Sequence, residues 1–79
     1  MKNKILELLR NINPTYSYEL SNDFIGDGLI DSFDMINLVV AIDESFNVSV
    51  PGVEITPENF TNIDSIAKLI EKLNNARSI

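Results

Sequence analysis

The fold is decided by residues 31–46, which read DSFDMINLVVAIDESF. Placed at 100° per residue, this stretch gathers on one arc the apolar side chains of Met35, Leu38, Val39, Ile42 and Phe46. Asp31 or Ser32 can cap a helix that starts here, and Asp34 puts negative charge in its first turn, where the helix dipole favours it. The pattern predicts an amphipathic helix over residues 32–46 with one face in the core.

The other side of this predicted helix is unusual for a surface exposed to water. It carries Phe33, Asn37, Val40, Ala41 and Glu44. Phe33 and Val40 give it more apolar side chain than a solvent face normally shows.

Before this helix, the sequence predicts another helix and a long connection. Apolar residues from Ile5 to Ile12 recur at helical spacing, which predicts a first helix over residues 2–11 that is ended by Asn13 and Pro14. Residues 14–31 are long for a structureless loop. We expect apolar side chains to pin this connection across the helices, with a turn at residues 27–28; those side chains are Tyr16, Tyr18, Leu20, Phe24, Ile25, Leu29 and Ile30.

After this helix, the sequence predicts an extended loop at residues 47–52, because no second strand is available to pair with it. Residues 56–60 predict one short helix with Pro57 at its first position. Asn62 then caps a last helix, whose inward positions are Ile66, Leu69, Ile70 and Leu73. The expected fold is a small all-α four-helix bundle of three longer helices and one short one, in a single domain over residues 1–79.

Composition narrows the possible functions. The 79 residues contain no Cys and no His, so disulfides, zinc sites of the usual ligand types, a Cys nucleophile and a His general base are excluded. We therefore do not expect a self-contained hydrolase or protease. No stretch predicts a signal peptide or a membrane span, which makes the cytoplasm the expected location.

Charge is distributed unevenly along the chain. Residues 11–67 hold ten acidic side chains and no basic one, and the net charge of the whole chain is −6. Such a surface repels nucleic acid and anionic membranes and attracts partners rich in Lys and Arg. The alternative is a solvated acidic surface that only keeps the protein soluble.

The serine at the start of the predicted central helix has three interpretations. Ser32 is first of all a favoured helix cap. A second interpretation is calcium, because Asp23, Asp27, Gly28, Ile30 and Asp34 fall at positions 1, 5, 6, 8 and 12 of an EF-hand loop. Position 3 of that loop is Ile25, which offers no side-chain oxygen, and the carboxylate of Asp34 is one methylene shorter than the usual closing Glu.

The third interpretation is a resemblance. Residues 31–46, followed by Val48 and Pro51, closely resemble the carrier proteins, a family that includes acyl, D-alanyl and peptidyl carriers. The family pattern is Asp-Ser-Leu, an acidic amphipathic helix with an aromatic residue at its end, and an Ile- or Val-rich segment reaching a proline. Residues 60–66 match the family's entry into its last helix, so the likeness covers essentially the whole chain.

The resemblance implies that Ser32 is the attachment point of 4′-phosphopantetheine. A separate phosphopantetheinyl transferase would move this group from coenzyme A onto the Ser32 hydroxyl, with Mg²⁺ in the site of the transferase. The thiol of the arm would carry an acyl or aminoacyl group between a loading ligase or acyltransferase and later enzymes with basic docking surfaces.

The resemblance implies a carrier that is not itself an enzyme, and it places five residues where family members touch their enzymes: Phe33, Val40, Ala41, Asp43 and Glu44. Asp31 and Asp34 would repel a phosphate on Ser32, so we expect them to face a basic partner or a metal that the partner holds. Phe33 has an alternative as a side chain folded under the preceding loop. Phe33 and Asn37 depart from the Leu and Glu usual in fatty-acid carriers and are more similar to D-alanyl and aminoacyl carriers, or to carriers of specialised biosynthetic clusters. We expect a monomer, and the competing hypothesis is an acidic helical interaction module in which Ser32 only caps a helix.

Overall fold

Three α-helices form the body of the protein. The computed structural model describes residues 1–77 and places α1 at Lys2–Ile12, α2 at Ser32–Phe46 and α3 at Ile63–Arg77. Three short 3₁₀ helices lie between them, at Tyr18–Leu20, Gly52–Glu54 and Pro57–Phe60. No strand occurs in these 77 residues, so the predicted small helical bundle is confirmed.

The first helix buries its apolar side chains on one face. Ile5 and Leu9 are fully buried, and α1 packs against both α2 and α3. The helix ends where Asn13 turns to an extended backbone ahead of Pro14, because the residue before a proline is disfavoured in the helical region. Its observed end is Ile12, one residue later than the sequence predicts.

The long connection is pinned to the core, but by fewer side chains than expected. Five of the predicted residues do pack inward: Tyr18, Phe24, Ile25, Leu29 and Ile30. Leu20 is 84% exposed, so its predicted burial is wrong, and Tyr16 is exposed as well. The reason is the 3₁₀ turn at Tyr18–Leu20, which was not predicted from the sequence and whose buried residue is Tyr18.

Backbone hydrogen bonds attach this connection to the start of α3. The N–H of Phe24 donates to the carbonyl of Thr61 at 2.7 Å, and the side chain of Asn62 donates to the carbonyl of Asn22 at 3.3 Å. The predicted turn at residues 27–28 is present, with Gly28 at a positive φ of 78° that favours glycine. The connection therefore brings the chain to the first residue of α2 in a defined position.

The C-terminal half follows the sequence prediction closely. Residues 48–51 form an extended loop, and the predicted short helix is present as the 3₁₀ helix Pro57–Phe60. Asn62 caps α3, because its side-chain oxygen accepts the N–H of Ser65 at 2.9 Å while the Ser65 hydroxyl oxygen accepts the N–H of Asn62 at 3.0 Å. The short turn at Gly52–Glu54 is an addition that the sequence did not predict.

Candidate functional site at the start of α2

A reciprocal pair of hydrogen bonds fixes the first turn of α2. The Asp31 carboxylate accepts the backbone N–H of Asp34 at 2.8 Å, and the Asp34 carboxylate accepts the backbone N–H of Asp31 at 3.3 Å. Asp31 has an extended backbone, and the helix proper begins at Ser32. Of the two capping residues that the sequence allowed, the structure selects Asp31.

Ser32 is therefore the first helical residue and not the cap. Its side chain is exposed, and within residues 1–77 its hydroxyl has no hydrogen-bond partner. The interpretation of Ser32 as a capping residue is wrong, because Asp31 already occupies that position. What remains is a hydroxyl that is open to solvent beside the positive end of the helix dipole. These features fit a phosphodiester linkage at this oxygen, since helix N-termini favour anions, while the carboxylates of Asp31 and Asp34 in the same turn oppose it by like-charge repulsion.

The carboxylates of the calcium interpretation have other partners. Asp23 accepts the N–H of Gly26 at 3.0 Å, Asp27 accepts the hydroxyl of Ser21 at 2.6 Å, and Asp34 belongs to the cap of α2. Within the described chain, no group of three or more acidic, His or Cys side chains is placed to hold a metal ion. The structure gives the EF-hand pattern no support.

The outer face of α2 carries an apolar stripe. Phe33 is 73% exposed, Ile36 57% and Val40 53%. They lie at positions i, i+3 and i+7, which places them along one side of a helix. The alternative that Phe33 folds under the preceding loop is wrong. Ile36 was missed by the sequence analysis, although the same 100° spacing places it beside Phe33 and Val40.

The other residues expected on this face differ in how freely they can contact another molecule. Glu44 is exposed, whereas Ala41 is half-buried and packs against the core. Asp43 is also half-buried, and its carboxylate accepts the N–H of Val50 at 3.1 Å. The structure thus shows a role for Asp43 within the fold that the sequence did not reveal.

The acidic residues of α2 keep their charge unpaired. The ion pairs found among the described residues all lie outside α2 and its cap: Lys2 with Asp64, Lys4 with Glu7, Arg10 with Glu19 and Lys72 with Glu54. The first-turn acids and Glu44 lie at opposite ends of the stripe. We call the stripe of Phe33, Ile36 and Val40, together with Asp31, Asp34 and Glu44, the α2 face.

Comparison with known proteins identifies the family to which this chain belongs. The acyl carrier protein of Wolinella succinogenes is 34% identical over 71 residues, which cover 90% of this chain and 88% of the relative. This chain belongs to the carrier protein family. The resemblance stated from residues 31–46 and 60–66 is thereby confirmed.

Two other relatives of this carrier protein, of lower percentage identity, are named after other cargoes. Aminoacyl carrier protein 1 of Bradyrhizobium diazoefficiens is 27% identical over 73 residues, which cover 89% of this chain and 81% of the relative. A D-alanyl carrier protein of Lactococcus lactis subsp. cremoris is 27% identical over 74 residues, which cover 91% of this chain and 94% of the relative.

No protein-family model matches the sequence, and the comparison with solved structures finds no significant match. Within residues 1–77, none of the helices has the length and apolar character needed to cross a membrane.

Proposed function

We propose that this carrier protein bears 4′-phosphopantetheine on Ser32 and moves a thioester-bound acyl or aminoacyl group between partner enzymes. The observation that carries the proposal is the Ser32 hydroxyl, which is exposed and without a hydrogen-bond partner in the described chain, at the first position of α2. The bound arm would supply a thiol, which this chain lacks because it has no Cys. The chain itself provides the attachment point and the docking surface and is not an enzyme.

The attachment step is a phosphoryl transfer carried out by a separate transferase. The Ser32 oxygen forms a bond to the phosphorus next to the pantetheine, and the pyrophosphate bond of coenzyme A breaks. Adenosine 3′,5′-bisphosphate leaves, and the hydroxyl proton passes to a base of the transferase. Within the described chain, Ser32 needs no rearrangement of hydrogen bonds before this step, since its hydroxyl has none to break.

The α2 face is the proposed docking surface for the transferase, the loading enzyme and the enzymes that receive the cargo. Its apolar stripe offers Phe33, Ile36 and Val40 as contacts, and its unpaired acids favour partners with basic surfaces. Ala41 and Asp43 remain predicted contacts, but both are half-buried in this structure. We propose that the protein works as a monomer that these enzymes bind in turn.

The cargo is proposed at the level of an acyl or aminoacyl group. The named relatives include acyl, D-alanyl and aminoacyl carriers. Phe33 and Asn37 favour the last two, because they replace the Leu and Glu usual in fatty-acid carriers. Offering the modified protein to ligases that activate D-alanine or other amino acids, and to acyl ligases, would separate the classes by the mass of the loaded product.

The test of the attachment site is modification in vitro. The purified chain is incubated with coenzyme A, Mg²⁺ and a transferase of broad specificity, and its intact mass is measured. We expect the gain of one phosphopantetheine arm in the wild type and in Ser45→Ala, a matched change at another exposed serine of α2. Ser32→Ala should show no gain. Modification of Ser32→Ala, or no modification of the wild type by several transferases, would overturn the proposal.

A further inference from the structure

The position of the helix cap decides whether the Ser32 hydroxyl is free. A serine at a cap uses its side-chain oxygen to accept a backbone N–H from the first turn, and its own backbone leaves the helical region. A serine one residue later has a helical backbone and an unused hydroxyl. In this structure Asp31 is the cap and Ser32 is the next residue. The hydroxyl is free because its neighbour performs the capping.

Ser32 would itself be a good cap if Asp31 did not fill that position. Serine and aspartate rank together as capping residues, and alanine ranks far below them. If α2 began one residue later, the Ser32 oxygen would accept the N–H of Met35, which now bonds the carbonyl of Asp31 at 2.9 Å. Without the Asp31 carboxylate, the alternative start exchanges one hydrogen bond for another. With it, that start also breaks the bond from the Asp34 N–H to Asp31 at 2.8 Å, so the side chain at position 31 decides between the two.

We propose that the Asp31–Asp34 pair is a positioning device that holds the start of α2 at Ser32 and keeps the Ser32 hydroxyl out of the cap. Both carboxylates take part, since each accepts the backbone N–H of the other residue. This inference rests on the proposed function only for its consequence, which is a hydroxyl open to the transferase. It assigns to Asp31 and Asp34 a task within the chain, in addition to the contact with partner enzymes expected of them.

Asp31→Ala and Asp31→Asn separate capping from charge. Both substitutions remove the negative charge, but asparagine keeps a side-chain oxygen that can cap the helix and alanine does not. The first measurement is the backbone conformation of Ser32, read from its Cα and Cβ chemical shifts in the unmodified protein. We expect helical values in the wild type and in Asp31→Asn, and a shift toward extended values in Asp31→Ala. Helical values in Asp31→Ala, or an equal shift in both variants, would overturn the proposal.

The second measurement is the kinetics of modification by the transferase. The competent start of α2 would be only fractionally populated in Asp31→Ala, and a fractionally populated binding state weakens apparent affinity by that fraction. We expect the KM for this variant to rise about fivefold, the factor that corresponds to the loss of a typical cap, with kcat unchanged. Asp31→Asn loses the same charge but keeps a capping oxygen, so its KM should rise clearly less than that of Asp31→Ala.

A control removes one charge elsewhere. Glu58 is exposed, lies in the 3₁₀ helix Pro57–Phe60 and is outside the α2 face, so Glu58→Ala should leave KM unchanged. An equal rise of KM in Asp31→Asn and Asp31→Ala would show that the charge of Asp31 acts through docking, which would overturn the positioning role. If the wild type is not modified at all, the proposed function is wrong. The chemical shifts of Ser32 would still show at which residue α2 starts, so the two proposals can fail separately.

Discussion

Tyr18 shows how one side chain fixes the long connection between α1 and α2. Its ring is fully buried and meets the ring of Phe24 edge to face at a centroid distance of 5.6 Å, while its hydroxyl donates to the carbonyl of Asn13 at 3.0 Å. Tyr18→Phe keeps the ring and leaves this carbonyl without its partner. We expect a loss of about 1 kcal/mol in the free energy of unfolding, measured by urea titration.

The same substitution should change how stability depends on alkaline pH. Burial, aided by the charges of Asp34 and Tyr16, raises the pKa of Tyr18 above its ordinary value. A raised pKa means that the folded state keeps its proton longer than the unfolded chain, so stability falls as the pH rises past about 10. Tyr18→Phe should lessen this fall. Tyr16→Phe, at an exposed ring, removes only the smallest of these contributions and should lessen the fall much less; an equal effect of both changes would contradict the assignment.

At the scale of elements, the end of α2 is tied to the loop that follows it through Asp43. Its carboxylate accepts the N–H of Val50, seven residues along the chain, at a half-buried position. Asp43→Ala should therefore lower the free energy of unfolding by about 1 to 2 kcal/mol, whereas Asp43→Asn retains an acceptor and should lose less. Glu44→Ala, at the exposed neighbour, should leave stability unchanged in the same urea titrations. Equal stability of Asp43→Ala and the wild type would contradict this role.

Asp43 also shows where prediction from the sequence stops. The bounds of α2 could be predicted because a 15-residue helix with a regular apolar arc has a strong periodic signal. The hydrogen bond between Asp43 and Val50 could not be predicted, because it joins a helix to a loop. Such a contact produces no repeating pattern of apolar and polar residues in the sequence. The exposure of Leu20 was missed for a related reason, since an apolar residue in a loop gives no sign of which way a 3₁₀ turn will point it.

The candidate site divides in the same way. The sequence pattern, and the resemblance that rests on it, predicted Ser32 as the attachment point and the acidic residues at both ends of the α2 face as contacts. The choice of Asp31 over Ser32 as the cap was not predicted, because adjacent residues that both favour capping leave the start of a helix uncertain by one position. At this site, that one position decides whether the hydroxyl is free.

At the scale of the whole molecule, an ion pair joins the starts of two helices that are far apart in sequence. The Lys2 ammonium lies 2.7 Å from the Asp64 carboxylate, in the first turn of α3. The hydrogen bond and charge of Lys2 hold the pKa of Asp64 below its ordinary value. Stability from this pair is therefore present above the ordinary pKa of Asp64 and is lost as the pH falls through the lowered one.

Replacing either partner should remove that part of the acid response. We expect Asp64→Asn to flatten the decline of the urea midpoint below about pH 4, and Lys2→Gln to flatten it equally. The double variant should add nothing further, because both single changes break the same pair. The effect near neutral pH should be small, since both side chains are mostly exposed and screened by solvent. Additive effects of the two changes would contradict a shared cause.

The overall charge predicts how the protein meets its partners. Residues 11–67 contain no basic side chain, and in the described chain the acids of the α2 face form no ion pair. Their field reaches approaching molecules and speeds encounter with a basic surface, but salt screens it beyond about 8 Å at physiological ionic strength. The association rate with the transferase should therefore fall as salt is raised from about 50 mM to about 500 mM, while the dissociation rate changes little.

A substitution at Glu44 tests whether the electrostatic field that speeds association comes from the α2 face. Its side chain is exposed and makes no ion pair in the described chain, so Glu44→Gln removes charge without removing a contact within the fold. Stopped-flow measurements should show slower association at low salt for this variant and a shallower dependence on salt. Glu58→Gln removes the same charge away from the face and should change the slope less. An association rate that salt does not alter would mean that the apolar stripe alone guides docking.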